Sequence, residues 1–96
     1  VTEGIGEDMI PENINFDIID GFTKVTDKDA AIFCRELLKQ EGMFLGNSAG
    51  AAIKGVLQLK ENFKPDDLVV VLFHDHGSRY LKKIYNDDWM TKMGYM

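Results

Sequence analysis

The stretch GNSAG, residues 46–50, decides how this chain is read. It fits G-x-S-x-G, the strand-turn-helix signature that lifts a nucleophilic serine in hydrolases. It fits equally well a tight glycine turn that leads into a helix and presents the helix N-terminus to a ligand. Ser48 is then a nucleophile, a ligand-holding hydroxyl, or a helix cap, the last alone worth about 1 kcal/mol. After the turn, Ala49, Ala52, Ile53, Val56 and Leu57 fall on one face of a helix predicted over 49–62. Gly50, Ala51, Ala52 and Gly55 lie in the same helix. Each glycine costs about 1 kcal/mol of helix propensity, so their presence predicts that another element packs unusually close.

Working outward, MFL at 43–45 is a very short extended piece before the turn. Upstream, a helix is expected to begin at Thr26, whose spacing to Asp29 suits a capping box, with Asp27 and Asp29 at the positive helix end. Ala30, Phe33, Cys34, Leu37 and Leu38 form its apolar stripe, and Gly42 is a left-handed stop. Downstream, LVVVLF at 68–73 is continuously apolar and β-branched, as in a parallel strand covered on both faces. HDHG ends it, a third helix is expected over 78–86, and a tail follows with Trp89 as packing anchor. The opening EGIGED and the polar ENIN read as loop, and FDIIDGFTKV as one brief strand at most. This order is α/β logic. A buried parallel strand needs neighbours on both sides, and one convincing strand cannot supply them. With the start at Val1 rather than Met, this predicts a fragment of a larger α/β layer.

The bulk numbers narrow the function. A 96-residue chain makes one small domain at most. Its net charge of −5 argues against nucleic-acid binding, which needs clustered Lys and Arg. No stretch approaches the roughly 18 apolar residues of a membrane span. The single cysteine, Cys34, cannot form an internal disulfide and reads as a small buried hydrophobe in an intracellular, cytoplasmic protein.

Ligands of open α/β sheets bind beyond the C-terminal ends of strands, which brings Ser48 and Asp75 towards one crevice if their strands are neighbours. A hydrolase reading has the order Ser48, Asp75, His76. Adjacent Asp75 and His76 diverge on an extended chain, however, so the acid cannot orient the base. A metal reading uses His74 and His76, and two ligands do not make a site. No metal is expected. In the third reading, Ser48 caps the helix and its hydroxyl also meets a small molecule.

Three motifs in order, EGIGEDMIP (3–11), QEGMFLGNSAGAA (40–52) and DHGSRYLKKIYNDDWM (75–90), cover nearly the whole chain. Together they resemble the cystathionine β-synthase/cysteine synthase family of pyridoxal-phosphate enzymes with the tryptophan-synthase-β-like fold. Glu3, Asp8 and the NDDWM tail look more like cystathionine β-synthase than cysteine synthase (O-acetylserine sulfhydrylase). The resemblance implies a partial three-layer α/β fold, helices on a parallel sheet, with residues 1–96 the C-terminal part of the catalytic domain. It implies a pyridoxal phosphate cofactor, amino-acid substrates, and a homodimeric parent that joins serine to homocysteine. Ser48 matches the serine that hydrogen-bonds the cofactor's pyridine nitrogen. Gly4 and Gly6 match the glycine loop of the cleft, and Asp75 matches a position near the pyridine edge. Three residues depart from the pattern: Glu7 stands where tyrosine is frequent, His74 where proline is usual, and His76 where serine is usual. No lysine sits in a Schiff-base motif and no phosphate-cradling loop is present. The resemblance therefore implies that this chain supplies no covalent anchor, is inactive alone, and depends on the remainder of the domain. A non-catalytic interaction module is the alternative from another class, and a Ser48 hydrolase the remotest.

Overall fold

The structure is a computed structural model that describes residues 12–96. The expectations for Glu3, Gly4, Gly6, Glu7 and Asp8 lie outside the described residues.

The first helix, α1 (Asp27–Glu41), starts and stops where short-range chemistry says it should. Thr26 Oγ1 accepts the Asp29 N–H at 3.0 Å, and acidic Asp27 and Asp29 face the positive helix end. Gly42 ends it at φ 69°, in the left-handed region where a Cβ is disfavoured, and its N–H returns to Leu37 and Leu38 carbonyls. The buried positions are Ala30, Ala31 and Cys34. Leu38, expected on the buried stripe, is exposed.

The second helix, α2 (Asn47–Gln58), packs its Gly50 directly on α1. A Cβ on Gly50 would lie 2.2 Å from Cys34 Sγ and 2.8 Å from the Ala30 carbonyl oxygen. That is the close approach the small residues predicted. The helix begins at Asn47 and gives way at Leu59 to a 3-10 turn over Lys60–Asn62.

The third helix differs from expectation. Gly77–Tyr80 is a single 3-10 turn, followed by turns to Tyr85. The Tyr80 carbonyl receives both the Lys83 and Tyr85 N–H groups, which breaks the i to i−4 ladder. A short helix, α3 (Asp87–Lys92), forms instead in the expected tail, capped by Asn86 Oδ1 accepting from Trp89 N at 2.9 Å. The core joins Ala31 and Cys34 of α1 to Ile84 and Met90, with Tyr80, Tyr85, Trp89 and Tyr95 around them. Trp89 is the anchor expected, meeting Tyr95 edge-on at 5.9 Å. Arg35 adds a polar tie, donating to the Ile84 carbonyl at 3.0 Å and pairing with Asp87.

Among the described residues no strand ladder forms. The two segments expected to end as strands meet at one antiparallel bridge, Leu45 to His76. Residues 68–73 carry no regular structure. Their exposure alternates, with Leu68 at 90%, Val70 at 82% and Leu72 at 70%, against 42% for Val69 and 41% for Phe73. An apolar run needs flanking strands to close its hydrogen bonds and cover its faces, and the described residues offer none. The radius of gyration, 14.5 Å, exceeds the roughly 12–13 Å of a compact chain this long.

Candidate functional site

The first turn of α2 is the centre of the site. Ser48 is not the helix cap that the sequence predicted. Gly46 takes that position with extended backbone (φ −73°, ψ 167°), and no side chain caps the helix. Ser48 therefore lies inside the first turn, where its hydroxyl is not used for capping and its N–H is among those without an intrahelical acceptor. Ser48 is 8% exposed and lines a cleft of about 570 Å³ together with Thr23, Val25, Ala51, Gly55 and His74. The small residues Ala51 and Gly55 have a second use here, since they keep the cleft open beside the serine.

Gly46 is held from the other side of the turn. Its N–H donates to the Asp75 carbonyl at 3.0 Å, and the Gly77 N–H donates to the Phe44 carbonyl at 3.0 Å. Asp75 is not among the cleft-lining residues. Its Oδ2 accepts the Tyr80 hydroxyl at 2.7 Å and lies 3.7 Å from Arg79 Nη1. Its Oδ1 is buried with no hydrogen-bond partner among the described residues. Tyr80 was read from the sequence only as one apolar position of a helix, and its hold on Asp75 has no short-range signature.

His74 lines the cleft, and His76 does not. His76 Nδ1 accepts the Ser78 N–H at 3.1 Å and lies 3.0 Å from Ser78 Oγ, while its ring meets Phe44 edge-on at 5.1 Å. His76 thus caps the 3-10 turn. With the Asp75 carboxylate turned to Tyr80 and His76 turned to Ser78, the two do not pair as acid and base for Ser48. Among the described residues no three His, Cys, Asp or Glu side chains gather to hold a metal ion. No helix there is long and apolar enough to cross a membrane. Cys34 is fully buried, and burial pushes its thiol up to about 11. It remains protonated at neutral pH and is a packing residue. Burial, followed by the neighbouring Cys34, also raises the Tyr85 hydroxyl.

The cleft's size falls within the usual range of small-molecule sites, about 300–1,000 Å³. Its wall is small and largely apolar, with one neutral hydroxyl close to a helix start, which suits the face and ring nitrogen of an aromatic heterocycle. No lysine lines it.

Residues 1–75 match the family described as pyridoxal-phosphate dependent enzymes. The chain belongs to that family. Its cofactor is pyridoxal phosphate, as the motifs implied. Over 94 residues, 98% of the chain, it is 37% identical to the cystathionine beta-synthase of Dictyostelium discoideum, covering 19% of that protein. Over 90 residues, 94% of the chain, it is 39% identical to the N-(2-amino-2-carboxyethyl)-L-glutamate synthase of Ralstonia nicotianae, covering 27% of it. Over 95 residues, 99% of the chain, it is 35% identical to the cystathionine beta-synthase of Oryctolagus cuniculus, covering 17% of it. Among solved structures it is similar to a hydrogen sulfide-producing enzyme complexed with an alpha-aminoacrylate intermediate. That TM-score is 0.77 at 30% identity, covering 96% of this chain and 29% of the other. A mutant O-ureido-L-serine synthase with bound O-ureido-L-serine shares the fold, with a TM-score of 0.78 at 24% identity, covering 97% and 32%. The chain spans less than a third of the length of each of these proteins. The α/β fold expected from the sequence is the one these enzymes share with it.

Proposed function

We propose that residues 1–96 form the C-terminal part of the catalytic domain of a pyridoxal-phosphate-dependent β-replacing enzyme. The enzyme is cystathionine β-synthase-like and condenses serine with homocysteine in a cytoplasmic homodimer. The observation that carries this is Ser48, a nearly buried hydroxyl released from capping and facing an open cleft at the start of α2. Two of the relatives named above are cystathionine β-synthases, which favours that substrate pair over the cysteine synthase reaction. The exposed apolar run at 68–73 fits a segment seated in a larger sheet and disfavours an independent interaction module.

When bound, pyridoxal phosphate supplies the electron sink for β-elimination and replacement. This chain's own part is binding and orientation. Ser48 holds the pyridine nitrogen with a neutral hydroxyl, which does not force a proton onto that nitrogen as a carboxylate would. Gly4 and Gly6 line the opposite part of the cleft, where bare backbone allows close approach. Asp75 belongs to the site through the turn that carries Ser48. No lysine of this chain lines the cleft, so the covalent anchor comes from the rest of the domain and the chain alone is inactive.

The test uses the full-length enzyme and Ser48→Ala. The parent should form cystathionine from serine and homocysteine faster than it forms cysteine from O-acetylserine and sulfide. Ser48→Ala should lower kcat/KM about tenfold, the loss of one hydrogen bond worth about 1.4 kcal/mol. Turnover equal to wild type would remove Ser48 from the site. A preference for O-acetylserine would move the assignment to cysteine synthase.

A further inference from the structure

We propose that Asp75 and Tyr80 are positioning residues that clamp the first turn of α2 and so set the direction of the Ser48 hydroxyl. The proposal rests on the reading of Ser48 given above and deepens it. Three observations converge on Gly46. Its N–H is bonded to the Asp75 carbonyl at 3.0 Å. The point where a Cβ would stand is 1.7 Å from Asp75 Oδ1 and 3.0 Å from Tyr80 Cε2, so both side chains press on the bare Cα. The Tyr80 hydroxyl, donating to Asp75 Oδ2 at 2.7 Å, fixes the carboxylate in that place.

Glycine at 46 is thus required for room and not for backbone conformation, since its φ of −73° suits any residue. The carboxylate also lies at the positive end of α2. Its Oδ1 is buried without a donor among the described residues, an arrangement that Tyr80 must hold against the pull of solvent. Arg79 contributes little, because it is 3.7 Å away and largely exposed. Two residues beyond Gly46, Ser48 has no capping bond of its own to fix the turn. Its aim is inherited from the clamp. A shift of a few tenths of an ångström is enough to weaken a hydrogen bond that depends on angle.

The experiment is a double-mutant cycle in the full-length enzyme, with Tyr80→Phe, Ser48→Ala and the pair. Tyr80→Phe keeps the ring against Gly46 and deletes only the donor. Three quantities are read: the affinity of the apoenzyme for added pyridoxal phosphate, the visible absorbance and fluorescence of the bound cofactor, and the melting temperature of the apoenzyme. Tyr80→Phe is expected to weaken cofactor binding about fivefold and to shift the cofactor spectrum, with apoenzyme melting close to wild type. In the Ser48→Ala background the same substitution should have almost no further effect. Additive losses would show that Tyr80 does not act through Ser48 and would overturn the clamp alone. Lowered melting with unchanged affinity and spectrum would make the pair a stability feature and also overturn it. If Ser48→Ala itself leaves affinity and spectrum unchanged, the cofactor reading of Ser48 fails, and the clamp has nothing to aim. Should Tyr80→Phe not fold, Asp75→Ala carries the same cycle.

Discussion

Gly50→Ala tests the packing of α1 on α2 most directly. The new methyl would stand 2.2 Å from Cys34 Sγ, 2.8 Å from the Ala30 carbonyl oxygen and 3.4 Å from Cys34 Cβ. The sulfur can rotate only by giving up its weak contacts to the Gly46 and Asn47 carbonyls, at 3.4 and 3.9 Å. The Ala30 oxygen is helix backbone and moves only if α1 moves with it. Overpacking of this kind costs about 1–3 kcal/mol, while replacing a helical glycine with alanine returns about 1 kcal/mol. Where a main-chain atom must shift, the upper part of the range applies, leaving a net loss of about 1–2 kcal/mol. The assay is urea unfolding of the purified protein, in which the midpoint should fall with the slope unchanged. Cys34→Ala in the same background removes the shorter contact, so the double variant should be more stable than the sum of the two singles by about 1 kcal/mol. A Gly50→Ala protein as stable as wild type, or more stable, would refute the close approach, because propensity alone predicts that gain.

Other predictions follow from single contacts. Gly77→Ala would place a methyl 2.4 Å from the Phe44 ring, which also meets Tyr85 at 4.8 Å. Melting should fall by an amount equivalent to about 1–3 kcal/mol, and an unshifted melting curve would contradict the contact. Asn86→Ala removes the α3 cap and should cost about 1 kcal/mol by urea unfolding, whereas a neutral result would mean that packing alone holds α3. Stability should decline in alkali. Cys34 ionises at about 11 in the fold against 9.0 ordinarily, so between these values the unfolded chain has released a proton that the folded one keeps. Stability is intact below 9.0 and is lost at up to about 1.4 kcal/mol per pH unit as pH rises to about 11. Tyr85, raised by burial and then by Cys34, acts in the same direction above 10.0. Cys34→Ala should flatten the first part of the melting temperature profile, and a wild-type profile level from pH 8.5 to 10.5, on the order of one thiol's titration range, would sink the assignment.

Several features could be read in advance because their causes are local. The cap of α1 at Thr26 and its stop at Gly42 depend on residues within one turn of each end. The small residues of α2 announced close packing because a helix tolerates glycine only for a reason, and Cys34 and Trp89 were legible as packing residues by type. The family, its fold and its cofactor were carried by three ordered motifs. Other features had no local cause. The start of α2 at Asn47 is set by the Gly46 bond to Asp75, so a serine that looked like a cap was left facing a cleft. The stretch at 78–86 has helix-forming residues, yet Gly77 under the Phe44 ring, the His76 cap and the doubly used Tyr80 carbonyl turned it into a 3-10 turn and bends. Residues 68–73 have strand composition and no partner among the described residues. Composition and spacing determine what a segment is able to form, because propensity and capping act within a few residues. Which of those forms is adopted, and which hydroxyl stays open to a ligand, depended on contacts between residues far apart in the chain, and only the tertiary structure brings those together.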